Sequence, residues 1–245
     1  MAPEGGVAAG RLVALALAAP TAALVGRDLG RCGAVRYLAG FAAATAAQEA
    51  FLRAVVRRVG PARASPADLL TLGRAGCAAV LAGLVAAGVR DRAGPAGRLG
   101  WLAAVAGATV TDWLDGPLAR RAGATPLGAV LDIEADSWLT LWCAVAAARW
   151  GDLPGWGALP PLLRYGRALL DLAAGRPPAR GRPGWNRATG VAQMALFLAA
   201  LAPPRARPPR RVVVGAAGLV AAARCAAQLT PRGPSPGRDS LERTP

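Results

Sequence analysis

Histidine is absent from this chain, and so is lysine; all 29 basic residues are arginine. Without an imidazole there is no Ser-His-Asp hydrolysis, no His-ligated zinc and no phosphohistidine chemistry. The missing lysine reads as a mark of GC-rich coding rather than of function. Aromatic residues make up only 5% of the chain, so no stacking platform for nucleic acid is visible. The net charge of +15 is therefore not read as a nucleic-acid footprint. The arginines cluster between apolar blocks, where they suit the anionic headgroups of a lipid surface. Cysteine is scarce too: Cys32, Cys77, Cys143 and Cys225 are far apart and form no CxxC pair. That spacing argues for small apolar filler over a metal or disulfide role.

What the chain has in abundance is small and aliphatic. Hydrophobic residues make up 54% and charged residues only 18%, against about 25% charged in an average soluble domain. The apolar residues fall in blocks of roughly 15 to 24, the length that crosses a bilayer as a helix. Short runs of Arg, Pro and Gly separate them, and no long segment shows a solvated polar face. The pattern predicts an all-α, polytopic transmembrane helical bundle. Eight helices are expected, at about 11–26, 34–56, 65–89, 98–121, 127–150, 155–173, 186–202 and 211–229. The second, interrupted by Arg36, Gln48, Glu49 and Arg53, is equally suited to lying along the interface. Residues 1–62 read as a two-helix extension, 63–230 as a six-helix core, and 231–245 as a disordered tail rich in Pro, Gly, Ser and charge. Arginine counts on alternate loops are similar, so charge does not fix the topology.

Against this background the acids stand out. There are only 14, yet Asp112, Asp115, Asp132 and Asp136 share one 25-residue window. A carboxylate in an apolar span is costly unless something pairs with it, and clustering adds mutual repulsion. Residues three and four apart share a helix face. Asp112, Asp115, Gly116 and Ala119 therefore line one stripe, and Asp132 and Asp136 line another. Gly123 and Pro126 allow a tight turn between them, which would bring the two carboxylate pairs face to face. Glu134 points to the other side of its helix and is left out of the site, so Glu134→Gln is expected to be nearly silent. Hard carboxylate oxygens suit Mg²⁺ or Mn²⁺, and two such ions would neutralise four charges. Gly116 and Ala119 leave room for a nucleotide or diphosphate, and Arg120 supplies a forked donor for phosphate.

The sequence Asp112-x-x-Asp115-Gly116-x-x-Ala119-Arg120, followed by Gly128-x-x-x-Asp132-x-x-x-Asp136, resembles the signature of the CDP-alcohol phosphatidyltransferases. Two further stretches are similar to family segments: Pro66 to Arg74, at the opening of the first core helix, and Asn186 to Gln193, at the fifth. The resemblance covers about 65–230 and implies an integral membrane enzyme with a six-helix core. Such an enzyme transfers a phosphatidyl or related phosphoalcohol group from a CDP-linked lipid to an alcohol, and releases CMP. It implies two divalent metals, Mg²⁺ or Mn²⁺, on Asp112, Asp115, Asp132 and Asp136, with Asp136 as general base on the acceptor hydroxyl. Gly116, Ala119, Arg120 and Gly128 would contact the CMP portion, and Thr71 would line the nucleotide pocket. It also places the site on the cytoplasmic side of the cell membrane, in a family where homodimers are common.

The acceptor is read from the residues themselves. Arg164, Arg167 and Arg187 lie in the later helices and would grip an acceptor phosphate if they face a cavity; the bland alternative is that they snorkel to the interface. A cation transporter using the aspartates as an ion site is the competing function, but it leaves Gly116, Ala119 and Arg120 without a purpose.

Overall fold

A computed structural model of the chain describes residues 3–59, 66–89, 126–176, 183–201 and 209–229. All regular structure among them is helical. Six α-helices follow one another: α1 Pro3–Val59, α2 Pro66–Ala87, α3 Pro126–Arg149, α4 Leu159–Ala173, α5 Pro183–Leu201 and α6 Arg210–Leu229, with a short 3₁₀ turn, Gly155–Ala158, before α4. The expected helix at 98–121 and the tail at 231–245 lie outside the described residues.

Local chemistry explains where the elements begin and end. Proline opens α2, α3 and α5, where its fixed φ suits the first helical position and its missing N–H costs nothing. Glycine ends α3 and α4. Gly151 and Gly175 adopt φ of 72° and 73°, and each is followed by the paired bonds of a Schellman turn. After α3, the Asp152 N–H donates to the Ala147 carbonyl (2.9 Å) and Gly151 to Ala148 (3.1 Å). After α4, Arg176 donates to Asp171 (2.8 Å) and Gly175 to Leu172 (3.0 Å). The expected N-terminal helix pair is one continuous helical run broken at Gly30, where φ 71° and ψ −175° leave the helical region.

The core is built largely from alanine. Ala78, Ala79 and Ala82 of α2 and Ala144, Ala146 and Ala147 of α3 belong to one cluster with Tyr37, Phe41, Leu81 and Leu139, all buried. Small side chains let helix backbones approach closely. The tightest approach joins α1 to α2: a Cβ on Gly83 would stand 2.7 Å from the Tyr37 ring, and one on Gly40 would stand 2.5 Å from the Ala86 Cβ. The α1 and α2 helices pack along much of their length, α2 packs on α3, and α5 pairs with α6.

Among the described residues no helix is long and apolar enough to cross a membrane. The reason is legible in two elements. The acidic residues Asp132, Glu134 and Asp136 fall within α3, and α4 has 15 residues, about 22 Å at 1.5 Å per residue against a hydrocarbon thickness near 30 Å. The outward surface is nonetheless apolar in many places, with Leu170 of α4 71% exposed and Leu219 of α6 76% exposed.

Candidate active site

The site grows from the facing surfaces of α2 and α3. Thr71 and Arg74 are three apart on α2, and both are buried. The Arg74 side chain is only 1% exposed, and its Nη1 donates to Asp132 Oδ1 at 3.0 Å and to Asp136 Oδ1 at 2.5 Å. The i,i+4 spacing of the aspartates thus does what helix geometry requires: both carboxylates reach one guanidinium nitrogen. Their side chains remain 48% and 46% exposed, so the pair is covered on the Arg74 side and open on the other. Thr140 Oγ1 donates to the Asp136 carbonyl at 2.7 Å, and Ser137 Oγ to that of Ile133 at 2.7 Å, which anchors polar side chains back onto α3.

The opposite face of α3 carries a second ion pair. Glu134 is buried, and both its oxygens accept from Arg164 of α4: Nη1 to Oε2 at 3.2 Å and Nη2 to Oε1 at 2.5 Å. Aromatic rings surround it. Tyr165 meets Phe51 edge-on at 5.2 Å and Trp138 at 5.6 Å, and the Arg164 guanidinium stands 5.0 Å from the Tyr165 ring centre. Glu134 does point away from the aspartate pair, as its position on the helix requires. The ion pair gives Glu134 a part in stability that its position in the sequence did not show, because a buried charge pair loses stability when one partner goes.

A third arginine was not singled out by the sequence. Arg224 of α6 packs against α5, with its Nη1 3.3 Å from where a Cβ on Gly190 would stand. It lies near enough to Arg164 and Asp136 to feel both charges. Among the described residues no hydrogen bond or ion pair holds its guanidinium. Gly190 is the signal that could have found it: a small residue in the Asn186–Gln193 segment is what lets an arginine lie close against the helix.

The remaining expected residues divide as follows. Gly128 lies near the start of α3, one turn before Asp132. Arg167 is on α4 and exposed. Arg187 lies near the start of α5, its side chain outside the described set. Asp112, Asp115, Gly116, Ala119 and Arg120, and with them the face-to-face meeting of the two carboxylate pairs, also lie outside the described residues. Of the four aspartates expected to hold divalent ions, Asp132 and Asp136 are among the described residues. Two carboxylates on one face, held toward one point and open on one side, suit a hard cation. No cluster of three or more carboxylate or thiol groups occurs among the described residues, so the other donors would have to come from Asp112 and Asp115.

The described residues are helical throughout and set the paired aspartates of one helix against an arginine of its neighbour, with the other side of the pair open. The particular class follows from comparison: residues 65–226 match the model of the CDP-alcohol phosphatidyltransferases, and the chain belongs to that family of transferases. It is 38% identical over 108 residues to a Pseudomonas fluorescens protein named CDP-diacylglycerol–glycerol-3-phosphate 3-phosphatidyltransferase. That stretch covers 40% of this chain and 54% of the relative, so the chain spans about half the length of the curated protein it matches. No solved structure matches.

Proposed function

We propose that the protein transfers a phosphatidyl group from a CDP-linked lipid to a small phosphorylated alcohol at a membrane, releasing CMP. The observation that carries this reading is the family match over residues 65–226, a stretch within which Asp132 and Asp136 converge on one nitrogen. The phosphorylated acceptor is supported by the relative's name and by Arg224, which lies within electrostatic range of Asp136. Embedding in the membrane is supported by leucines and valines of α4, α5 and α6 turned outward, among them Leu162, Leu169, Val191 and Val212.

In this reading Asp112, Asp115, Asp132 and Asp136 would hold two Mg²⁺ or Mn²⁺ ions. Bound there, such ions supply charge neutralisation on the diphosphate and on departing CMP. Gly116, Ala119, Arg120, Gly128 and Thr71 form the cradle for the CMP portion. Asp136 accepts the proton of the acceptor hydroxyl, since an alcohol is a poor nucleophile without a base beside it. The acceptor oxygen attacks the lipid-bearing phosphorus, the bond to the bridging oxygen breaks, and CMP leaves. The fork of Arg164 is engaged with Glu134, so the grip on the acceptor phosphate falls first to Arg224, with Arg167 and Arg187 as the further candidates. The reaction faces the cytoplasm, where nucleotide-linked donors are made.

The test is CMP release by purified protein with a CDP-diacylglycerol donor, Mg²⁺ or Mn²⁺, and a panel of acceptors. Release should require a divalent ion, should favour phosphorylated over unphosphorylated small alcohols, and should fall about 10³-fold in Asp136→Asn. Absence of CMP with every alcohol, or equal rates without divalent ions, would overturn the reading.

A further inference from the structure

Arg74 is buried, sits on an apolar helix, and spends one nitrogen on two carboxylates that the reading above assigns to the metal centre. We propose that Arg74 is a positioning residue for that centre: a resident cation that holds Asp132 and Asp136 in place and, by its charge, keeps divalent-ion affinity low until the anionic donor arrives. The inference rests on the metal reading and adds a residue to it.

The argument begins with cost. An arginine with a side chain 1% exposed is tolerated only when it is paired. Its partners face the same problem from the other side: two carboxylates four residues apart on one helix repel each other. Arg74 answers both demands at once, cancelling one of the two negative charges and fixing both side chains toward a single point. The open side of the pair is where an ion can enter.

An entering divalent ion meets two opposed effects. The ligands are already oriented, which saves the rotamer freedom of two aspartates, a small quantity. The guanidinium stands directly behind them, and repulsion between a unit and a double charge across a few ångströms of partly buried protein is much larger. Charge wins, so Arg74 weakens metal binding even though it orders the ligands. A diphosphate brings the missing negative charge, and ion and donor are then expected to bind best together. This distinguishes Arg74 from an ordinary structural pair, whose removal would disorder the ligands and weaken the metal.

The experiment uses the full chain in detergent or lipid discs. It compares wild type, Arg74→Gln and Arg74→Lys by Mn²⁺ titration followed by electron paramagnetic resonance, and by thermal unfolding with and without Mn²⁺. Arg74→Gln should unfold at a lower temperature without metal, bind Mn²⁺ about tenfold or more tightly than wild type, and gain more in unfolding temperature on Mn²⁺ addition. Arg74→Lys, which keeps the charge, should bind Mn²⁺ within a few-fold of wild type. If Arg74→Gln folds only with metal, it is purified in Mn²⁺ and the rate of metal loss to a chelator is read. Slower loss than wild type supports the proposal; equal or faster loss overturns it. Equal or weaker Mn²⁺ affinity in Arg74→Gln overturns this proposal alone, whereas a wild-type protein that binds no divalent ion even with the CDP-linked donor present sinks the metal reading as well.

Discussion

Asp132 and Glu134 are two residues apart on α3 and meet arginines from different helices, Arg74 of α2 and Arg164 of α4. That separation, close to half a helical turn, divides one acidic run between two faces, one open beside Arg74 and one buried against Arg164. The Glu134 side chain is 6% exposed and that of Arg164 20%, so truncating either partner leaves a poorly solvated charge. Glu134→Ala should cost about 3 kcal/mol of stability. Adding Arg164→Leu should recover part of it, with a coupling of at least about 1 kcal/mol in a double-mutant cycle by thermal or denaturant unfolding. Arg224 belongs to the other face. Arg224→Gln should raise the acceptor KM about tenfold while leaving the KM for the CDP-lipid nearly unchanged. In the proposed reaction the guanidinium would grip the phosphate of the acceptor alone, and a tenfold weaker grip corresponds to roughly 1.4 kcal/mol. Steady-state kinetics with each substrate varied in turn separates the two.

Helices here are held close by what their facing surfaces lack. Gly40 and Gly83 lie where α1 and α2 cross, and each has less than 3 Å of room for a Cβ. The neighbours at that crossing are the rigid ring of Tyr37 and a helix backbone, so neither yields easily. Gly83→Leu should separate α1 from α2 and cost about 3 kcal/mol or more, read as a lower unfolding midpoint. Because Arg74 lies on the same helix, the substitution should also reduce Mn²⁺-dependent turnover. The helix boundaries were within reach of the sequence: Pro66 and Pro126 mark starts, and Gly151 and Gly175 mark ends, by rules that act over four or five residues. The Gly30 break was legible only as a gap between two apolar blocks, because a single left-handed glycine can join two helices without any loop.

At the scale of the whole molecule, α1 poses the main question, since the family match begins at residue 65 and α1 ends at Val59. Packing answers it. Tyr37 and Phe41 of α1 are buried in the same core as Leu81 of α2 and Leu139 of α3, and Phe51 packs on Tyr165 of α4. Removing residues 1–59 should therefore expose core surface on α2. The truncated protein should aggregate or unfold well below the full chain in size-exclusion and thermal-unfolding measurements; a truncated core of unchanged stability would show that α1 is an independent appendage.

Composition and spacing alone determined that the chain is helical and that Asp132 and Asp136 share a face, because helix periodicity is a property of the backbone and needs no partner. They also carried the family resemblance, since the motif is a set of local spacings. Which cation meets which acid was decided only by the tertiary structure. Arg74 is 58 residues from Asp132 and Arg164 is 30 residues from Glu134. An ion pair across such distances depends on how helices dock, and docking here is set by alanine and glycine faces that look alike in the sequence.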